Sequence, residues 1–236
     1  MPSDEKKSNI TESEIPNAPH RFYFVRHGQT EWNRTGRYQG STETELNDNG
    51  AEQARRVGLR LSGIIPTRVY ASPMKRARRT AEIIMENNSG DTAITECGDL
   101  REISFGLWEG LTMREIMDRY PETLAAWRIA PFTAVPEGGE SYAEVASRAS
   151  RAAKILKEAG DPGDVTFVVG HGAAMRALIA SLMNIRELDM LWRVRFDNCS
   201  ISVLDTWGDR PMLLFSNDTH HTRLGDEEIK RLTFPE

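Results

Sequence analysis

Residues 22–28 read FYFVRHG, so a run of four apolar side chains leads directly into the triplet RHG. A continuous apolar run of this length is typical of a parallel strand that is buried on both faces. The segment 165–172, VTFVVGHG, repeats the arrangement with a mostly apolar run before the triplet GHG. In open α/β sheets, ligands bind beyond the carboxyl ends of the strands. We therefore expect His27 and His171 to face each other across one pocket.

The residues beside these histidines suit an anionic ligand. Gly28 and Gly172 let the backbone approach a ligand closely, and Arg26 offers a planar donor that fits phosphate or carboxylate. The helix expected after Gly172 would point its N-terminal N–H groups at the same space. A histidine after a strand more often packs a loop, but two such sites with neighbouring glycines favour a shared ligand site.

Strands and helices alternate outward from these two segments. The sequence predicts further strands over 68–71, 200–205 and 212–215. It predicts four helices: one from Asn47 to Gly63, one that begins after the cap Ser72 and Pro73, one from Ser141 to near Gly160, and one after Gly172. This alternation predicts an α/β fold, a three-layer sandwich with a mainly parallel sheet flanked by helices. We expect one domain over 21–225, between a mobile N-terminal tail (1–20) and a C-terminal tail (226–236).

Composition excludes several classes of protein. The 236 residues carry 35 acidic and 30 basic side chains, for a net charge of −5, which argues against a nucleic-acid partner. No apolar run approaches the length of a membrane span, so we expect no membrane partner. Cys97 and Cys199 are isolated, which excludes a disulfide framework and favours the cytoplasm. Because the chain lacks a GxxxxGK[ST] loop and an HExxH motif, we expect no metal and no cofactor.

Five motifs in order relate the sequence to a known family. They are RHGQT at 26–30 with Trp32-Asn33, Gln39-Gly40 and 46–50; SPMKRARRTA at 72–81; LREISFGLWEG at 100–110; PEGGES at 136–141; and VVGHGAAMRAL at 168–178. On these residues the chain resembles the histidine phosphatase superfamily, in its phosphoglycerate mutase-like branch (branch 1), over about 21–219. The resemblance implies the phosphoglycerate mutase-like fold.

The resemblance also implies roles for individual residues. His27 would attack phosphorus and form a phosphohistidine, which splits one difficult step into two easier ones. Glu102 would protonate the leaving alkoxide and then activate water. The phosphoryl oxygens would be held by catalytic groups and by further binding residues, namely Arg26, Arg76, His171, Asn33, Thr30, Gln39, Gly40 and Gly172. Arg128 is the basic residue of the 111–137 segment that we expect to reach the substrate.

Some residues have a second interpretation. Arg76 lies in KRARR, which could be a nucleic-acid patch; however, Lys75, Arg78 and Arg79 share one helical face, and Arg76 lies on another. His20 borders the tail, so we expect it to be exposed. The pair His220-His221 could suggest a metal site or the edge of the pocket, but no cluster with ligand spacing adjoins it.

These observations predict a metal-independent phosphomonoesterase that hydrolyses a small phosphorylated metabolite. The alternative is a phosphoglycerate mutase, which returns the phosphoryl group to the product. The family's mutases resemble one another in a longer insertion between the WEG and GGES motifs, whereas here only 111–137 fills that gap as a cap. A sensor of phosphorylated ligands is a third interpretation, opposed by the presence of both His27 and Glu102. A homodimer formed through a sheet edge is a further expectation.

Overall fold

The computed structural model describes residues 18–186, 191 and 193–230 of the chain. The mobile tail predicted over 1–20 therefore lies, up to residue 17, outside the described residues. Within the described part, one sheet contains the strands β1 (His20–Arg26), β2 (Arg68–Ala71), β3 (Ile94–Glu96), β4 (Val165–Gly170), β5 (Ile201–Trp207) and β6 (Arg210–Asp218).

The sheet is mixed and has the order β3-β2-β4-β1-β5-β6. Strands β3, β2, β4 and β1 run parallel to one another, whereas β5 is antiparallel to β1 and forms the predicted hairpin with β6. The helices are α1 (Glu31–Arg34), α2 (Asp48–Arg60), α3 (Lys75–Glu86), α4 (Met113–Arg119), α5 (Pro121–Ile129), α6 (Tyr142–Glu158), α7 (Gly172–Leu182) and α8 (Asp226–Lys230).

Each face of the sheet carries its own apolar cluster. Phe22 and Phe24 of β1 pack with residues of α6 and α7, while Tyr23 and Val25 pack with residues of α2 and α3. Successive strand residues point to opposite faces, so a strand covered on both sides is apolar throughout. Burying a phenylalanine of this kind stabilises the fold by roughly 1.5–3 kcal/mol. The three-layer α/β sandwich predicted from the sequence is confirmed.

A third apolar cluster lies in the segment between the WEG and GGES motifs. Trp108, Ile116, Leu124 and Trp127 are buried together, and they anchor the short helices α4 and α5. Thr112 caps α4 in a capping box with Glu115, as the sequence pattern indicates. The cap segment 111–137 therefore has its own small core.

Several predicted boundaries were wrong. Helix α3 begins at Lys75 with Met74 at its cap position, because the Ser72 hydroxyl contacts His171 Nε2 at 2.8 Å instead of capping. Helix α2 ends at Arg60, three residues before Gly63.

The expectation that His20 is exposed was also wrong. His20 is buried, and its Nε2 lies 2.8 Å from Thr166 Oγ1.

The C-terminal tail expected from 226 begins instead with helix α8. Asp226 Oδ1 accepts a hydrogen bond from Arg55 Nη2 at 2.8 Å, and the side chain of Ile229 is fully buried. Across the described part of the chain, none of the helices combines the length and the apolar character that crossing a membrane requires.

Candidate active site

Pairing of β1 with β4 brings the two histidine motifs together. Arg26 lies opposite Gly170 in the parallel register, and the His27 N–H donates to the Gly170 carbonyl at 2.9 Å. The imidazole rings of His27 and His171 consequently lie with their centroids 5.2 Å apart. The two histidines were expected to face each other across one pocket; the structure brings their rings together, but of the two only His27 lines the cleft.

A cleft of about 160 Å³ opens beside His27. Its lining combines the predicted residues Arg26, His27, Asn33, Gln39, Gly40, Arg76 and Glu102 with Arg37, Tyr38 and Phe105, which the sequence analysis did not single out. Three of these side chains, Arg26, Arg37 and Arg76, are arginines, so the cleft suits a small anion.

His27 is held as a neutral nucleophile. Burial, and then the charges of Arg26 and Arg76, lower the pKa of His27 well below its usual range. Its Nδ1 lies 2.8 Å from the Gly28 carbonyl, which can only accept a hydrogen bond. Nδ1 therefore carries the proton, and the Nε2 lone pair is free to attack an electrophile.

His171 packs beside His27 but is not among the residues that line the cleft. Its side chain is fully buried, and burial, followed by the charge of Arg76, lowers its pKa well below the usual range. Nε2 contacts Ser72 Oγ at 2.8 Å, while Nδ1 has no hydrogen-bond partner among the described residues.

Arg76 is a fully buried arginine on the inner face of α3, beside the buried Ala77 and Thr80. Its Nη2 donates to the Gly40 carbonyl at 2.7 Å and its Nη1 to the Thr42 carbonyl at 2.9 Å. Burial lowers the pKa of Arg76 to about 10, still well above neutral pH. The other basic residues of KRARR are exposed and form ion pairs, namely Lys75 with Glu45, Arg78 with Glu82 and Arg79 with Glu86. The helical spacing predicted this division, which opposes a nucleic-acid patch.

Arg26 reaches the cleft from the end of β1. Its Nη1 donates to the Phe196 carbonyl at 2.6 Å, and its buried Nε has no partner among the described residues. Burial lowers the pKa of Arg26 from its ordinary value, and the charge of Glu102 opposes that shift.

Glu102 occupies the N-terminus of α7. Its Oε1 accepts backbone N–H groups from Ile103 at 3.1 Å, Ala173 at 3.2 Å and Ala174 at 3.1 Å. We expected these α7 donors to face the ligand, but they hold the protein's own carboxylate instead. Gly172 lies at the edge of the site, because a Cβ there would be 3.8 Å from Arg26 Nε and 3.9 Å from Glu102 Oε2.

The first turn of α1 organises three predicted binding residues. Thr30 is fully buried and caps α1 by accepting the Asn33 N–H at 3.2 Å. Its hydroxyl donates to Gln39 Oε1 at 2.9 Å. Thr30 is therefore a cap that supports the cleft and does not line it, whereas Asn33 and Gln39 do line it.

The loop of Gly40 depends on Glu109, whose role the sequence analysis missed. Gly40 has a φ of +54°, and a Cβ there would approach Glu109 Oε1 to 2.1 Å. Glu109 accepts the N–H groups of Ser41 at 2.8 Å and Phe105 at 2.9 Å. Burial alone would raise the pKa of Glu109, but these bonds, with one from Thr42, lower it overall. Glu109 lies within the motif at 100–110, but its contact with Ser41, 68 positions away, is not visible in the sequence.

Of two further arginines near this end of the sheet, Arg37 lines the cleft and Arg128 does not. Arg37 lines it and is fixed by the Gly110 carbonyl at 2.6 Å and by Glu115 at 3.1 Å. Arg128 is exposed at the end of α5 and lies outside the lining residues. Its Nη2 contacts Met113 Sδ at 3.4 Å, so the structure does not bring Arg128 into the cleft as expected.

The remaining histidines do not line the cleft. His221 is buried, and its Nε2 donates to the Cys199 carbonyl at 2.9 Å, while His220 is exposed. Within the described part of the chain, no group of three or more His, Cys, Asp or Glu side chains is arranged to hold a metal ion.

The sequence profile of the histidine phosphatase superfamily (branch 1) matches residues 22–219. The chain belongs to this superfamily. It is 32% identical over 201 residues to phosphoserine phosphatase 1 of Hydrogenobacter thermophilus, covering 85% of this chain and 93% of the relative. It is 33% identical over 189 residues to a protein named probable phosphoglycerate mutase GpmB of Cronobacter sakazakii, covering 78% and 84%.

Solved structures support the same assignment. The alpha-ribazole phosphatase of Shigella flexneri superposes with a TM-score of 0.76 at 28% identity, over 84% of this chain and 96% of that one. Relatives in this superfamily are thus named both as phosphatases and as a mutase, which leaves the substrate of this chain to be argued from its site.

Proposed function

We propose that this protein is a metal-independent phosphomonoesterase that hydrolyses a small phosphorylated metabolite through a phosphohistidine at His27. The observation that carries the proposal is a set of buried nitrogens on the residues around His27. Arg26 Nε and Arg76 Nε, on two residues that line the cleft, are buried without hydrogen-bond partners among the described residues. An unsatisfied buried polar group costs about 1–3 kcal/mol, and a phosphoryl group has the oxygens to satisfy several at once.

The first step is attack by Nε2 of His27 on phosphorus, which forms an N–P bond as the ester O–P bond breaks. Arg26 and Arg76 oppose the negative charge that spreads over the phosphoryl oxygens in the transition state. Glu102 gives its proton to the leaving alkoxide. In the second step Glu102 takes a proton from water as the water oxygen attacks phosphorus, the N–P bond breaks, and inorganic phosphate leaves with the lone pair returned to His27 Nε2.

The cap segment supports hydrolysis over transfer between hydroxyl groups. A mutase must keep water out until the phosphoryl group returns to the product, and 111–137 forms only two short helices beside the cleft. The relative named phosphoserine phosphatase makes phosphoserine the first ester to test. The relative named as a phosphoglycerate mutase supports the second candidate, exchange between 2- and 3-phosphoglycerate.

The test is phosphate release from a panel of phosphomonoesters in EDTA, with His27→Ala as the control. Release that requires His27 and continues in EDTA is the expected result. Interconversion of 2- and 3-phosphoglycerate faster than phosphate release would overturn the hydrolase in favour of the mutase. No turnover of any ester, with phosphate still bound, would favour the ligand sensor.

A further inference from the structure

Asn198 contacts both sides of the nucleophile loop from a separate part of the chain. Its Nδ2 lies 2.9 Å from the His27 carbonyl, 3.2 Å from the Gly28 carbonyl and 3.1 Å from Asn33 Oδ1. All three atoms are acceptors, so the two amide hydrogens are shared among them.

The Gly28 carbonyl is the atom that determines the tautomer of His27. It accepts the Nδ1 proton at 2.8 Å, which leaves Nε2 unprotonated. A glycine peptide turns more easily than others because no Cβ restricts it. Here it is fixed from both ends, since Asn198 binds the Gly28 carbonyl and Gln53 Oε1 accepts the Gln29 N–H at 3.0 Å.

The second contact orients the side chain of Asn33. Asn33 Oδ1 accepts both the Thr30 N–H at 3.2 Å and the Asn198 amide. Oxygen must therefore face these two donors, and the Asn33 NH₂ group faces away from them. Because Asn33 lines the cleft, this orientation leaves its donors for a phosphoryl oxygen.

The turn that carries Asn198 is held in a costly conformation. Cys199, the next residue, has a φ of +54°, which side chains other than glycine rarely adopt. Its N–H donates to the Arg26 carbonyl at 3.0 Å, and its carbonyl accepts His221 Nε2 at 2.9 Å. The Phe196 carbonyl binds Arg26 Nη1 on the other side of Asn198. Strain of this kind persists where the surrounding structure fixes it.

We propose that Asn198 is a positioning residue: its amide holds the Gly28 carbonyl that sets the His27 tautomer, and it turns the Asn33 donors toward the cleft. The catalytic consequence rests on the proposed function, but the effect on the His27 tautomer does not. Asn198→Asp replaces the shared donors with acceptors at nearly the same size, and Asn198→Ala removes them.

The experiment is nitrogen NMR of histidine-labelled protein, read together with kcat and KM for the best ester of the panel. Wild-type His27 is expected to be one neutral tautomer with the proton on Nδ1. Both variants are expected to show a mixture of tautomers and a roughly hundredfold lower kcat, with a raised KM from the misoriented Asn33. The tautomer of His27 tests the positioning role of Asn198, and phosphate release by wild type tests the proposed hydrolase activity. The two readouts are independent, so failure of one proposal can be distinguished from failure of the other.

Asn88→Asp is the matched control. The Asn88 amide also donates to two backbone carbonyls, those of Leu61 at 2.8 Å and Ile64 at 2.9 Å, but it lies outside the cleft. The Asn88→Asp variant should have a lower melting temperature than wild type, with kcat and the His27 signals unchanged. If Asn198→Asp does not fold, Asn198→Ala gives the same readouts. Wild-type His27 protonated on Nε2, or Asn198→Ala with an unchanged tautomer and kcat, would overturn the proposal.

Discussion

The carboxylate of Glu102 accepts the backbone N–H of Ala174 at 3.1 Å, at the N-terminus of α7. A helix N-terminus carries a partial positive charge that stabilises anions. This contact fixes the carboxyl group of Glu102 in the cleft that His27 lines. In the proposed mechanism Glu102 protonates the leaving alkoxide.

Replacing Glu102 with glutamine tests this role. Glutamine can accept the same backbone N–H groups but cannot donate a proton to an alkoxide. We expect kcat/KM to fall by about 10²–10⁴-fold for alkyl phosphates, and much less for p-nitrophenyl phosphate, whose leaving group needs no proton. Rates across a series of leaving groups measure the difference.

Glu109→Gln is the control for that series. Glu109 supports the loop of Gly40 and Phe105 and has no place beside the leaving group. It should slow both classes of ester by the same factor. Equal losses for good and poor leaving groups in Glu102→Gln would remove Glu102 from the acid role.

Arg76→Lys tests the buried arginine of α3. A lysine has one compact ammonium group and cannot bind the Gly40 and Thr42 carbonyls while also presenting a donor to phosphate. We expect kcat/KM to fall by about 10²–10³-fold. Arg79→Lys, on the exposed face of the same helix, should retain wild-type activity. Equal activity of the two variants would show that Arg76 has no part in the reaction.

Gly40→Ala and Gly36→Ala form a second matched pair. Both glycines have positive φ, +54° and +69°, but only Gly40 has a neighbour within 4 Å of an added Cβ. Gly36→Ala should cost only the backbone strain, about 1–2 kcal/mol. Gly40→Ala should cost roughly 2–4 kcal/mol because Glu109 must also move, and it should lower activity because the Gly40 carbonyl binds Arg76. Urea unfolding of both variants measures the difference, and equal costs would contradict the close contact.

Buried histidines predict a loss of stability in mild acid. The pKa values of His20, His27, His171 and His221 are all lowered, chiefly by burial, that of His221 to about 4. The unfolded chain has ordinary histidines near 6.5, so below that pH it binds more protons than the folded chain. The free energy of unfolding therefore falls as pH drops from about 6.5 toward the lowered values.

His221→Gln isolates one of these groups. The free energy of unfolding falls between pH 7 and pH 5. The pKa of about 4 for His221 predicts that this one residue contributes about 2 kcal/mol to that fall. Denaturant unfolding at both pH values should show that the free energy of unfolding of His221→Gln decreases by that much less than the free energy of unfolding of wild type. His220→Gln, at the exposed neighbour, should leave the decrease unchanged. An identical pH dependence of wild type and His221→Gln would contradict the burial of the neutral form.

Local patterns in the sequence predicted the parts of the fold that local physics determines. The apolar run of β1 indicated a strand buried on both faces, and Phe22 and Tyr23 do pack on opposite sides. The Thr112 and Ser141 capping boxes formed as expected. The spacing of the basic residues in α3 separated buried Arg76 from its exposed neighbours.

The errors involve partners that are far apart in the chain. Ser72 has the pattern of a helix cap, but its hydroxyl contacts His171, 99 positions away. His20 was expected to be exposed because it borders the tail, yet its ring packs against Phe22 with ring centroids 4.0 Å apart. The roles of Glu109 and Asn198 depend in the same way on contacts across the fold, which a single sequence does not reveal.

The most direct test of the central claim is rapid acid-free quenching of the enzyme with a ³²P-labelled ester in EDTA, followed by peptide mapping. The account predicts label on His27, in a linkage that is lost in acid and stable in base, appearing before free phosphate and absent from His27→Ala. Full turnover by His27→Ala, or label on any other residue, would contradict a phosphohistidine mechanism at His27.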